Sequence, residues 1–378
     1  MKNRIAFIIL ISCISIVCAQ QSLLYKEFRY YPISNKYLHS NADKNKYKEE
    51  IDVYIKKAVY IKSVKNQKNP TEFIQEILNK HNVVVLPNEE IQINENGLKL
   101  NSNQILIFQT DCVLKSNPNN KSHFAVLIVD HIENVKIYNS NLVGERFEHS
   151  NSKGQWGMGI RIISSKNIKI INPIVKEMWG DGIYIGGRNG VPSKNIEIHN
   201  AYLDHNRRNA LSITSADGVK LIKPLVANSN SQSPKAGIDI EANTNEDVLD
   251  NILIESPICF YNPIYGIVIS LAKLPGVIDK KVNIKINNPK IIGGKYGIAI
   301  LGIYDCANNY NIRGQIDINN LSTYYTAIAV KEFKKPKFKI SINISDIQIF
   351  HKSKRGADYF NQKQWDALRG NMEILNKN

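Results

Sequence analysis

The sequence predicts an all-β fold, a single-stranded right-handed parallel β-helix with a short N-terminal capping helix. Three observations predict it. First, a small–apolar–X–apolar motif starts at Gly159, Gly182, Ala210, Gly237, Gly266, Gly297 and Ala327, at spacings of 23, 28, 27, 29, 31 and 30 residues. Second, each early copy is followed by a second strand-like series (Asn167-Ile-Lys-Ile, Asn195-Ile-Glu-Ile, Gly218-Val-Lys-Leu, Asn251-Ile-Leu-Ile, Asn283-Ile-Lys-Ile) and a shorter third one beginning at Pro173, Ala201, Pro224, Pro257 and Pro289. Third, Asn, Gly and Pro punctuate the junctions, where the chain must turn. In each motif the residues flanking X point one way and X points the other, because side chains alternate along a strand. Three short strands per turn then place Ile, Val and Leu in one continuous core, each rung covering the apolar edge of the one before. A leucine-rich repeat would need a Leu-rich consensus at a period of roughly 20 to 29, and a propeller would need four strands per repeat; neither pattern is present.

Taken in order, Lys2 and Arg4 precede an apolar run from Ile5 to Val17, and small residues lead up to Ala19. This predicts a secretory signal peptide over residues 1–19, cleaved after Ala19, and a secreted or periplasmic product. The run is too short to serve as a membrane anchor, which needs about 20 apolar residues. Cys18 raises lipidation as the lesser alternative, since Val17 sits where that signal prefers a smaller residue. Residues 20–69 are polar, rich in Tyr and Lys, and without a repeat; they are expected to form an irregular extension along the body. A helix is predicted from Pro70 to Asn79, capped by Thr71, with Phe73, Ile74, Ile77 and Leu78 in one apolar stripe. That stripe suits a cap on the open end of the core, which would otherwise invite edge-on association. The β-helix is expected over residues 70–350, and residues 351–378 form a C-terminal cap or tail.

The formal net charge is +15 and falls to +13 once Lys2 and Arg4 are removed. A positive surplus attracts polyanions; it is spread along the chain, as Lys-rich and Asn-rich codon usage alone would also produce. No compact basic–aromatic patch points to nucleic acid. Cys112, Cys259 and Cys306 would remain after cleavage, an odd and widely spaced set that is neither a disulfide framework nor a metal site and allows at most one bridge, Cys259 with Cys306 included. No phosphate-binding glycine loop, zinc-binding His-Glu-x-x-His or nucleophile elbow is present.

From about Phe73 to Ile349 the chain resembles the pectate-lyase-like β-helix superfamily, of the secreted carbohydrate-active type. The resemblance rests on the capping helix, the Val83-Val84-Val85-Leu86-Pro87 strand and the Gly-Ile-X-Ile and Asn-Ile-X-Ile repeats. The segments Gly180-Asp181-Gly182-Ile183-Tyr184-Ile185, Asn206-Arg207-Arg208-Asn209 and Gly237-Ile238-Asp239-Ile240-Glu241 strengthen it. It implies the fold and leaves the reaction open, because the superfamily includes lyases, hydrolases, epimerases and binding proteins.

The outward X positions of the first series are Arg161, Tyr184, Ser212, Asp239, Val268 and Ala299. Parallel strands lie about 4.8 Å apart, so these form one column that is polar in its first four members. The preceding turns add Trp156, Trp179, Asp181, His205, Arg207 and Arg208. Glu241 follows Asp239 on the same face at about 6.5 to 7 Å, and Asp181 precedes it by two rungs, roughly 10 Å. Carboxylates, guanidinium groups and aromatic platforms in one groove suit a sugar polymer. Each also has a local alternative: a turn Asp binds nearby amides, and Arg207 and Arg208 can pair with Asp204, Asp181 or Glu241.

The first expected chemistry is lyase or C5-epimerase action on an acidic, uronate-containing polysaccharide. Arg161 or Arg207 would neutralise the carboxylate, Arg208 or His205 would take the α-proton and Tyr184 would donate one. An arginine base is what the superfamily resemblance implies for a lyase. Trp156, Trp179 and Ser212 complete the binding surface. Ca2+ suits the hard oxygens of Asp181, Asp239 and Glu241, although no cofactor is required by the pattern. The second chemistry is hydrolysis with Asp239 as acid and Asp181 or Glu241 as base. The Asp-Asp and Gly-His-Gly signatures of polygalacturonase-type enzymes are absent, and adjacent arginines are expected to depress the acids. The third reading is a non-catalytic carbohydrate-binding or adhesive solenoid.

Overall fold

The computed structural model describes residues 30–150, 153–302, 312–331 and 339–350. The signal segment with Cys18, Cys306 and the C-terminal segment lie outside these. The chain divides into two units, Met1–Pro32 and Ile33–Asn378, and the second carries all that follows.

Its described strands form three parallel sheets of nine, ten and eleven strands. One rung runs from Trp156–Ile163 in the nine-stranded sheet, through Lys166–Ile171 in the eleven-stranded sheet, to Ile174–Lys176 in the ten-stranded sheet. The next rung then begins at Ile183–Gly186. This is a right-handed parallel β-helix with a short helix near the N-terminus, as the repeats predict. Ile160, Ile162, Ile183, Ile185, Leu211, Ile213, Ile238 and Ile240 are all fully buried in a single core cluster.

The corners explain the punctuation residues. Asn134, Asn167, Asn195 and Asn251 adopt positive φ of 53–59°, and Gly218 takes the same place at 85°. Asn and Gly tolerate this left-handed conformation better than most residues. The Asn side chains also bond from rung to rung, Asn195 to Asn167 at 3.1 Å and Asn167 to Asn134 at 3.0 Å. A second ladder joins Asn200, Asn172 and Asn139.

The capping helix spans Pro70–Lys80. Its N-cap is Asn69, whose side chain accepts from the Glu72 amide, with Pro70 at the first helical position; Thr71 is instead buried and accepts from the Asn94 amide. The expected Thr71 cap is thus displaced, because Pro70 needs no amide partner and takes the first helical position itself. Ile74 and Leu78 close the core. Ahead of it, a helix at Lys48–Ile55 lies on the eleven-stranded sheet. Glu50 there receives Lys136, Lys169 and the Tyr138 hydroxyl at 3.1, 2.7 and 2.7 Å, and its pKa falls to about 2. Burial opposes that fall, but the three bonds outweigh it. Cys112 and Cys259 are free and buried.

Because each rung supports only its neighbours, one cavity in the core should be felt strongly. Ile213→Ala is expected to cost about 2–5 kcal/mol in a urea titration, whereas Ile258→Ala, on the outer face, should cost less than about 1.5 kcal/mol. Equal losses would contradict the inward assignment of Ile213.

Candidate functional site

The outward column exists as predicted. In strand register, Arg161 pairs with Tyr184, Tyr184 with Ser212, Ser212 with Asp239, Asp239 with Val268 and Val268 with Ala299. The column borders the turns that join the ten-stranded to the nine-stranded sheet, and these turns supply the rest of the site.

Asp181 is set by the two glycines around it. A Cβ at Gly180 would stand 2.4 Å from the Gln155 carbonyl oxygen, and one at Gly182 would stand 2.6 Å from the Ala210 carbonyl oxygen. Only glycine lets this turn pack so closely against the neighbouring rungs. Asp181 is consequently fully buried. Its Oδ2 accepts from Arg208 Nη1 at 2.8 Å and from Ser212 Oγ at 2.9 Å, while Oδ1 accepts from the Asn209 amide at 3.0 Å.

Asn209, which the sequence reading passed over, organises the centre. Its Nδ2 donates to Asp239 Oδ2 at 2.9 Å and to Ser212 Oγ at 3.1 Å, and its Oδ1 accepts from the Ala236 amide at 3.0 Å. One fully buried residue thus ties Asp181, through its backbone N–H, and Ser212 and Asp239, through its side chain, together across three rungs. Asn209 closes the Asn206-Arg207-Arg208-Asn209 turn. A polar residue between a turn and a buried Ala-Leu pair was the available signal.

Asp239 is 2% exposed although it points outward. Oδ2 is held by Asn209 and lies 3.9 Å from Arg208 Nη2, and Oδ1 is buried without a hydrogen-bond partner among the described residues. Burial, seconded by Glu241, pushes its pKa up to about 8, against the pull of Arg208. The expectation that adjacent arginines depress both acids therefore fails at Asp239. Arg208 bonds Asp181 directly and only approaches Asp239, so desolvation wins there. Tyr184 completes the cluster: its hydroxyl accepts from Thr214 Oγ1 at 2.9 Å and from Asn243 Nδ2 at 3.5 Å, and burial raises its pKa. Thr214 and Asn243 were also missed, having no motif of their own.

The other predicted residues lie outside this cluster. Arg207 turns away, its guanidinium 3.5 Å from the Trp179 ring centroid and donating to the Gly154 and Trp179 carbonyls. Trp179 is 4% exposed, packed between Arg207 and His149, whose ring lies at 4.0 Å. It is no open sugar platform. His205 sits against Phe147 and 3.9 Å from Glu177, and burial lowers its pKa to about 4, which makes it a weak base. Trp156 is partly exposed and stacks on His123 at 4.3 Å. Arg161 pairs with Asp130 at 3.4 Å, an anion it shares with Arg188, also at 3.4 Å. Behind Trp179, buried Glu145 and His149 bond at 2.9 Å. Burial raises the pKa of the acid and lowers that of the imidazole, both of which favour the neutral pair.

The Arg208 guanidinium stands 2.8 Å from Asp181 and 3.9 Å from Asp239, so a positive charge of the chain itself already faces the oxygens considered for calcium. Among the described residues no group of three His, Cys, Asp or Glu is arranged to hold a metal ion.

A raised Asp239 has a stability signature. The folded carboxyl keeps its proton up to about pH 8, whereas the ordinary value is 3.8. Folding therefore binds a proton across that window, and this contribution to stability declines as pH rises through it. Asp239→Asn removes the titration. Relative to wild type, the variant is expected to gain stability from pH 4 to 8.5, by at most about 1.4 kcal/mol per pH unit, in guanidinium titrations. A difference independent of pH would contradict the shift.

No protein-family profile matches the chain. Two uncharacterised Bacillus subtilis proteins are similar over part of it. The SPbeta prophage-derived YorA is 28% identical over 162 residues, covering 38% of this chain and 28% of YorA. YclG is 30% identical over 168 residues, covering 40% of this chain and 29% of YclG. The matched segment thus spans under a third of either relative. Among solved structures, the polygalacturonase of Erwinia carotovora superposes with a TM-score of 0.53 at 14% identity, over 79% of this chain and 95% of that one. The endo-xylogalacturonan hydrolase of Aspergillus tubingensis gives 0.53 at 13% identity, over 79% and 86%. No helix among the described residues is long and apolar enough to cross a membrane. In fold, the chain is a member of the right-handed parallel β-helix class to which these pectin-degrading enzymes belong.

Proposed function

We propose that this protein is an exported glycoside hydrolase acting on an acidic polysaccharide, with Asp239 as general acid. One observation carries the reading: a buried carboxyl on the outward column whose pKa is pushed up to about 8, with one oxygen fixed by Asn209 and the other, also buried, without a hydrogen-bond partner among the described residues. A general acid works best with a pKa near the working pH, and raised carboxyls fill this role in glycosidases. Glu241, two residues on and less buried, is the base that activates water. A separation of about 6.5 to 7 Å along the strand lies at the lower end of the range for inversion. Asp181 is a positioning residue. It fixes Arg208 and Asn209, which in turn hold Asp239.

One feature of the site favours hydrolysis over elimination; the fold, shared with a polygalacturonase and a xylogalacturonan hydrolase at 14% and 13% identity, is neutral between the two. Arg208, the arginine base of the lyase reading, is hydrogen-bonded to Asp181; burial pulls its pKa down, but the neighbouring acids outweigh that and raise it, and His205 lies elsewhere. The lyase or C5-epimerase reading keeps one specific support, the Tyr184 hydroxyl on the same face. The net charge of +15 favours an acidic polymer under either reading.

Incubation with polygalacturonate, alginate and xylogalacturonan, followed by reducing-end and unsaturated-uronate assays, separates the readings. Hydrolysis is expected to release reducing ends without ultraviolet-absorbing product. Asp239→Asn should lower the rate by about 10²–10⁴-fold. In wild type the rate should fall above about pH 8, as Asp239 loses the proton it must donate. Ultraviolet-absorbing product would instead establish the lyase.

A further inference from the structure

Beyond Asp239 the column loses its polarity, and an aromatic shelf covers it. Val268 and Ala299 continue the column and are buried with Ala236 beneath Tyr265, Tyr296 and Leu301. Tyr265 and Tyr296 are neighbours in register and stack with centroids 5.5 Å apart and planes inclined by 20°. Both remain partly exposed. Lys331 pairs with Ala299, which places it in the same column as Asp239, three rungs further along. Its ammonium lies 5.1 Å from the Tyr296 ring centroid, and that of Lys295 lies 5.0 Å from the same centroid.

The charge balance here differs from the rest of this face. Arg161, Arg188 and Arg208 each have a carboxylate partner, whereas neither Lys295 nor Lys331 has an ion pair with a described residue. Both ammonium groups lie beside one ring, whose quadrupole offsets only part of their charge. An anion bound beside them would neutralise more of it. The two stacked, partly exposed rings add aromatic surface against which the apolar side of a sugar can pack.

We propose that Tyr265, Tyr296, Lys295 and Lys331 form a distal subsite for an anionic sugar unit of the polymer whose chain crosses Asp239. The proposal rests on the polysaccharide reading of the site and deepens it. Tyr265, Tyr296 and Lys331 lie one, two and three rungs beyond the Asp239 strand, about 5, 10 and 14 Å along the stack, so a sugar held at the Lys331 end is separated from the reacting bond by intervening units. The chemistry required of that sugar is a carboxylate or a sulfate ester. A polymer would therefore be recognised by charge at a fixed distance from the acid.

Affinity electrophoresis of the full chain tests this, through gels containing polygalacturonate, alginate, dextran sulfate (sulfate esters without carboxylates) or fully methyl-esterified pectin. Wild type is expected to be retarded by at least one acidic polymer. The Lys295→Ala/Lys331→Ala double variant should bind that polymer about tenfold more weakly, equivalent to about 1.4 kcal/mol. It should bind the esterified pectin as wild type does, and Tyr296→Ala should weaken both. The double Lys→Arg variant should retain wild-type affinity within about threefold, a loss of about 0.7 kcal/mol at most. Retardation by uronate polymers and not by the sulfated one assigns the carboxylate, and the reverse assigns the sulfate. Unchanged affinity in the alanine double variant, or no retardation of wild type by any acidic polymer, would overturn the subsite. Lysine-dependent binding without any cleavage would overturn the hydrolase reading and leave the subsite standing.

Discussion

The in-register stacking of parallel rungs is the constraint on which everything else in this molecule depends. A parallel strand repeats its neighbour at about 4.8 Å with the same face outward. Residues more than 25 positions apart in sequence, such as Tyr184, Ser212 and Asp239, therefore become adjacent. The inward Ile and Leu residues set that register. A slip of one residue would turn the buried set outward and expose the core. The site is thus a by-product of packing that serves stability first.

On this scaffold the turns do what strands cannot. A strand position fixes a side chain's direction but not its partners. The Gly180-Asp181-Gly182 turn packs so closely that Asp181 is driven into the next rung, where it meets Arg208, Asn209 and Ser212. A buried carboxylate without compensation would be costly. Asp181 is compensated fully by a guanidinium, a hydroxyl and an amide. Asp239 is compensated only in part, and it resolves the difference by holding its proton. A carboxyl that holds its proton near neutral pH is what a general acid in carboxyl-based catalysis requires.

The β-helix was legible because its signal repeats: seven motif starts leave little freedom in the period. The outward column was legible too, since strand alternation dictates it. Arg207 and Arg208 show where legibility ends. Adjacent in sequence and identical in chemistry, they part in the turn, one to the Trp179 face and the other to the Asp181 carboxylate. Trp179 was misplaced for the same reason, because turn geometry and not strand alternation decides which side chains are covered. Asn209 carried no motif, and its role depends on three rungs meeting at one amide. The sign of the Asp239 shift lay equally beyond the sequence. It depends on whether Arg208 reaches that carboxylate or its neighbour, a choice made in three dimensions.

Carbon-13 NMR of the Asp239 side-chain carboxyl, assigned by comparison with Asp239→Asn, tests the central claim most directly. The account predicts a titration midpoint near pH 8, displaced upward by burial and by Glu241. A midpoint near the ordinary 3.8 would show Asp239 ionised at neutral pH and contradict its assignment as the acid.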